Sequence, residues 1–114
     1  MRMLQVLCAL LAIAISSYGT EIRVRNGSKV NFKHVVVGSK DYGNIKKGAV
    51  TAYQTWDWFA AYPYSDVSLV AGSKRMELTP IDYVGEHVLG PGHFTYVITI
   101  ERGHVQIRAV KEPD

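Results

Sequence analysis

The side chains able to do chemistry fall into a few groups, and the densest is aromatic. Tyr53, Trp56, Trp58, Phe59, Tyr62 and Tyr64 lie within twelve residues and include both tryptophans of the chain. On an extended backbone, residues two apart share a face. Trp56 and Trp58 then point one way and Asp57 the other, and Tyr62 and Tyr64 form a second pair. Exposed rings on a β surface stack on sugar faces or anchor a protein partner. With Asp57 in a loop, its carboxylate would instead sit beside the rings and accept a bond from a sugar hydroxyl. The competing role for such rings is to fill a core. Tyr53 and Tyr62 are expected there, while Trp56, Asp57, Trp58 and Tyr64 form the candidate binding set.

The second group is titratable. His87 and His93 flank Gly90-Pro91-Gly92, with Asp82 and Glu86 close by in sequence. A zinc site needs three or four converging ligands, and no spacing here supplies them, so no metal and no cofactor is expected. Asp82 and Glu86 are too close along one loop to flank a glycosidase cleft. They are expected to bond backbone N–H groups instead, which leaves Asp82, Glu86, His87 and His93 as a candidate loop surface. His34 alternates with Phe32 and Val36 and is expected to be a hydrogen-bonded core histidine. No serine stands in a nucleophile elbow, and Cys8 is the sole cysteine. These residues point away from an enzyme.

The elements that must carry these groups read as strands. Beyond Gly19, short runs rich in Val, Ile, Thr, Tyr and Phe are separated by Gly, Pro, Asn and Asp, with no helical period. Phe94, Tyr96, Ile98 and Ile100 alternate with Thr95, Val97, Thr99 and Glu101. Arg102-Gly103 then turns the chain into a return strand through Val105, Ile107 and Ala109. A second hairpin is predicted around Ala71-Gly72-Ser73-Lys74. A third is predicted to join Ile22–Val24 to Val30–Phe32 across Asn26-Gly27-Ser28. That triplet also matches a glycosylation acceptor, but the turn reading takes precedence. Val50–Tyr53, extending toward Trp58, and Tyr42–Ile45 complete about seven strands. The predicted fold is all-β, an antiparallel β-sandwich over residues 20–114.

Residues 1–19 are expected to be a signal peptide. Arg2 is followed by ten apolar residues, Val6–Ile15, and then by small residues before a cut ahead of Thr20. Ten apolar residues are too few to span a bilayer, so no stable membrane anchor is expected after cleavage. Cys8 would leave with this segment, and the domain would fold without a disulfide. Beyond Arg2 the chain carries twelve basic and ten acidic residues, scattered along its length. A nucleic-acid partner needs a clustered basic stripe, so none is expected. The expected location is periplasmic or extracellular.

Leu89-Gly90-Pro91-Gly92-His93-Phe94-Thr95-Tyr96 resembles the entry to a late strand in transthyretin-like and other immunoglobulin-like sandwiches. That resemblance implies an aromatic whose hydroxyl bonds backbone, a tyrosine corner. Val24–Ser28, Tyr42–Gly48, Thr51–Tyr53, Ala61–Tyr64 and Ile81–Glu86 look like small exported bacterial domains of unknown function. They imply a fold and carry no catalytic residues. The expected function is a non-enzymatic binding module that recognises envelope polysaccharide or envelope protein through surface aromatics. The alternatives are an inhibitor of a secreted hydrolase, acting through the loop Pro80–Gly92, and a structural protein that assembles by edge strands.

Overall fold

The computed structural model describes residues 19–80 and 86–113. It contains eight strands: β1 (Thr20–Asn26), β2 (Phe32–Val37), β3 (Lys40–Ile45), β4 (Gln54–Trp56), β5 (Val67–Ala71), β6 (Lys74–Leu78), β7 (Gly92–Glu101) and β8 (His104–Lys111). A short 3₁₀ turn covers Trp58–Ala60. The strands form two four-stranded sheets, in the orders β4-β1-β7-β8 and β3-β2-β5-β6. Their inner faces close on one core: Ile22, Val24, Phe94, Tyr96 and Ile98 from the first sheet, and Phe32, Val35, Val37, Ile45, Val67 and Leu69 from the second. The predicted all-β sandwich is therefore the observed architecture. Residues 1–18 of the expected signal segment lie outside the described ones. No helix among the described residues is long and apolar enough to cross a membrane.

Two hairpins form in the predicted register. Glu101 faces His104, and Ala71 faces Lys74. Arg102 and Gly103 both have positive φ, 52° and 78°, which is the two-residue turn that matches the right-handed twist of paired strands.

The third expected hairpin does not form. β1 pairs with β4 and, in parallel, with β7, while β2 lies in the other sheet. The sheet is therefore mixed rather than purely antiparallel. Asn26-Gly27-Ser28 is still a turn, but it carries the chain from one sheet to the other. Asn26 is fully buried. Its amide nitrogen donates to the carbonyls of Val30 (2.8 Å) and Ile45 (2.9 Å), and its oxygen accepts from the Ser28 backbone N–H (2.9 Å). The Gly27 N–H donates to the Ile98 carbonyl at 2.8 Å. A Cβ on Gly27 would lie 3.0 Å from Val97. Asn-Gly here serves a buried bond network and a close approach, where the hairpin reading needed only a tight turn.

His34 also departs from expectation, because it is exposed. The register of β2 against β3 shifts between Phe32 and Val35, and His34 has φ of 53°. A bulge adds one residue to the strand and flips the alternation, so Val35 takes the core position. The strand expected over Val50–Trp58 is shorter than predicted. Val50 makes an isolated bridge to Arg25, β4 spans three residues, and the chain then leaves the sheet.

Candidate functional site

Trp56 is the last residue of β4, and it is 5 % exposed. Its ring meets Tyr96 edge-on, with centroids 5.7 Å apart. Its indole N–H donates to the Tyr42 hydroxyl at 2.9 Å, and that hydroxyl donates to the Ile22 carbonyl at 2.8 Å. Trp56 in one sheet is thus bonded to a tyrosine of the other. Burial raises the Tyr42 pKa from 10.0 to about 12; the Glu21 charge adds to the rise, and the bond from Trp56 opposes it. These contacts correct the reading of Trp56 as a surface ring. It is core, and no ligand reaches it.

Beyond Trp56 the backbone turns outward. Asp57 is extended (φ −62°, ψ 128°), and the Ala60 N–H closes the 3₁₀ turn on the Asp57 carbonyl at 3.0 Å. The chain is fixed again at Ala61, which is fully buried and whose carbonyl accepts the Leu89 N–H at 2.7 Å. The Tyr96 hydroxyl donates to the Tyr62 carbonyl, thirty-four residues upstream, which is farther along the chain than a tyrosine corner reaches. Four residues held between two buried anchors must bulge into solvent.

The result is a knob of two rings. Trp58 is 62 % exposed and Phe59 60 %. They meet edge to face, with centroids 5.8 Å apart and planes at 86°. Asp57 beside them is exposed, and its carboxylate makes no bond to a described residue. Tyr64 is half-buried further along the loop. The expected pairing of Trp56 and Trp58 on one face is not found. The aromatic partner of Trp58 is Phe59, its neighbour in the chain, which strict strand alternation would put on the opposite side. Adjacent residues can join on a 3₁₀ turn, and no period-two pattern finds such a pair.

Asp82 lies outside the described residues, while Glu86 and His87 are exposed. His93 lies at the start of β7, half-buried, with its ring edge-on to Tyr53 at 4.9 Å. No group of three or more metal-capable side chains converges among the described residues. Tyr53 and Tyr62, expected in the core, are only half-buried. The Tyr53 ring lies under the Arg23 guanidinium at 4.9 Å.

No protein-family model, no curated protein and no solved structure matches this chain.

Proposed function

We propose that this chain is an exported, non-catalytic binding domain that holds a protein partner through the Trp58–Phe59 knob. The observation that carries the reading is two adjacent aromatic rings, each about three-fifths exposed, on a turn whose two ends are anchored in the core. The 3₁₀ turn is pinned at Trp56 and Ala61, so little ordering is needed when the rings dock. Preorganisation of this kind lowers the cost of binding.

The ring geometry favours a pocket over a flat ligand. Planes at 86° share no common surface on which successive sugars could lie, whereas a wedge of two rings fits a concave apolar pocket. The magnitude points the same way. Two aromatic side chains carry roughly 400 Å² when fully counted. About three-fifths of that area at ~25 cal/mol per Å² gives a gross gain of about 6 kcal/mol. Association costs about 4–15 kcal/mol. The knob is therefore an anchor that needs contacts around it, as a macromolecular partner provides, with Asp57 at the polar rim.

The test is capture from the exported protein fraction of the source organism, comparing the wild-type chain with a Trp58→Ala/Phe59→Ala variant. The expected result is one protein held in stoichiometric amount by the wild type and lost by the variant, with unchanged melting. Retention of the same protein by the variant would refute the reading. Retention of the wild type on insoluble polysaccharide, lost in Trp58→Ala, would replace it with sugar stacking.

A further inference from the structure

The outer face of the β4-β1-β7-β8 sheet carries a groove of about 430 Å³ that lies apart from the aromatic knob. Its floor is the outward side of β7. Thr95 and Val97 point away from the core yet are only 4 % and 8 % exposed, because the flanking elements rise around them. Val50 and Gly48 stand on one side, and Val110 of β8 on the other.

Three arginines converge here. Arg25 is directly opposite Val97, and Val97 directly opposite Arg108. The two arginines therefore straddle Val97 in one row, two strand spacings or about 10 Å apart at Cα. Neither has a hydrogen-bond or ion-pair partner among the described residues. In the next row, Arg23 faces Thr95 and Thr95 faces Val110. Arg23 is already engaged: it donates to the Thr95 hydroxyl at 3.0 Å and lies 3.6 Å from Glu112. The Thr95 hydroxyl donates in turn to Glu112 at 3.1 Å. The groove thus has two solvent-exposed guanidiniums without a partner among the described residues at one end, a fixed carboxylate at the other, and the apolar side chains of Val50, Val97 and Val110 between them.

We propose that this groove binds a carboxylate-bearing sugar chain. Planar guanidinium forks match carboxylates in two-point bonds, which suits Arg25 and Arg108. Glu112 is an acceptor and calls for a donor on the ligand. A ligand with acceptors only, such as a polyphosphate, meets repulsion at Glu112. An acidic sugar supplies carboxylates to the arginines, hydroxyl donors to Glu112 and C–H faces to the valines. An acidic peptide fits less well. The backbone N–H and C=O groups of β7 are committed to β1 and β8 on both sides, so an extended peptide lying on this face gains no strand pairing.

The experiment is binding of the full chain to polygalacturonate, with dextran, poly-glutamate and polyphosphate as comparison polymers at equal ionic strength. The expected result is binding to polygalacturonate that weakens with added salt and falls at least tenfold in Arg25→Gln/Arg108→Gln. A Lys40→Gln/Lys74→Gln variant removes the same charge from the other sheet and should bind as the wild type does. All four side chains project from strands without a described ion-pair partner, so folding is checked by circular dichroism and is expected to persist. Equal loss in the two double variants would overturn the site, since general charge would then explain the binding. Equal or tighter binding of poly-glutamate or polyphosphate would overturn the ligand class, and no binding to polygalacturonate would overturn both.

Discussion

Replacing Tyr42 with phenylalanine probes the bond that joins the two sheets. The ring of Tyr42 is 8 % exposed, and Tyr42→Phe keeps nearly all of its apolar contacts. What it loses is one oxygen. The Trp56 indole N–H is then buried without an acceptor, and the Ile22 carbonyl loses one donor. A buried donor left unsatisfied costs about 1–3 kcal/mol, and the carbonyl adds about 1 kcal/mol. The variant should therefore be less stable by about 2–4 kcal/mol near neutral pH, a large share of the ~5–15 kcal/mol typical of a domain. The pH dependence is more specific. The native hydroxyl holds its proton until about pH 12, whereas in the unfolded chain it titrates near 10. Between those values the unfolded state binds fewer protons than the native state, so wild-type stability falls as pH rises. The fall is about 1.4 kcal/mol per pH unit and approaches about 2 kcal/mol by pH 11.5. Tyr42→Phe lacks this titration. Urea denaturation followed by far-ultraviolet circular dichroism at pH 9 and pH 11.5 should show the gap between the two proteins narrowing by about that amount. A gap of constant size would refute a desolvated hydroxyl bonded between Trp56 and Ile22.

Five other substitutions separate the structural roles assigned above. Trp56→Ala should cost about 3–5 kcal/mol and Trp58→Ala within about 0.5 kcal/mol. In addition, acrylamide should quench the fluorescence of Trp58 strongly and that of Trp56 weakly, as read in the two single-tryptophan variants. Asn26→Asp replaces a buried donor facing two carbonyls with an acceptor, and a cost above about 3 kcal/mol is expected in urea melts at pH 7; a cost under 1 kcal/mol would mean the side chain is not enclosed. Gly38→Ala and Gly43→Ala both force alanine to positive φ, 59° and 71°, but only the former places a Cβ against other atoms, 3.1 Å from the Trp56 ring. Gly38→Ala should therefore cost about 1–3 kcal/mol more, and equal melting temperatures would show that the Trp56 ring is free to shift.

Strand alternation was legible wherever pairing is local. Phe94, Tyr96 and Ile98 repeat every second residue beside a two-residue turn, so both strands of that hairpin and their register follow from neighbours in the chain. The same logic fails at Asn26. Asn-Gly signals a turn equally well whether the strands beyond it pair or part, and what decides is the buried amide reaching Ile45, nineteen residues away. His34 fails for a related reason. A single inserted residue in β2 reverses inward and outward, and nothing in Phe32–Val37 marks the insertion, because lysine and histidine are acceptable on either side of such a bulge.

The two proposed binding surfaces were harder to read because each depends on a departure from strand periodicity or on contacts distant in the chain. The aromatic run did draw attention to residues 53–64, but its division into core and surface follows from the 3₁₀ turn. One tryptophan ends a strand under Tyr96, and the next, two residues on, is thrown outward with Phe59. The outer groove left a fainter trace. Arg23 and Arg25 alternate with Ile22 and Val24, which places two cations on the solvent side of one strand. Arg108 is eighty-three residues from Arg25 and is its neighbour only through β7, by way of a parallel pairing that no hairpin signal encodes. A scattered basic composition is therefore compatible with a local cluster. The relevant separation is measured across strands, at about 5 Å each, and the strand order that sets it comes from the burial of Val24, Tyr96 and Ile98 on the opposite face.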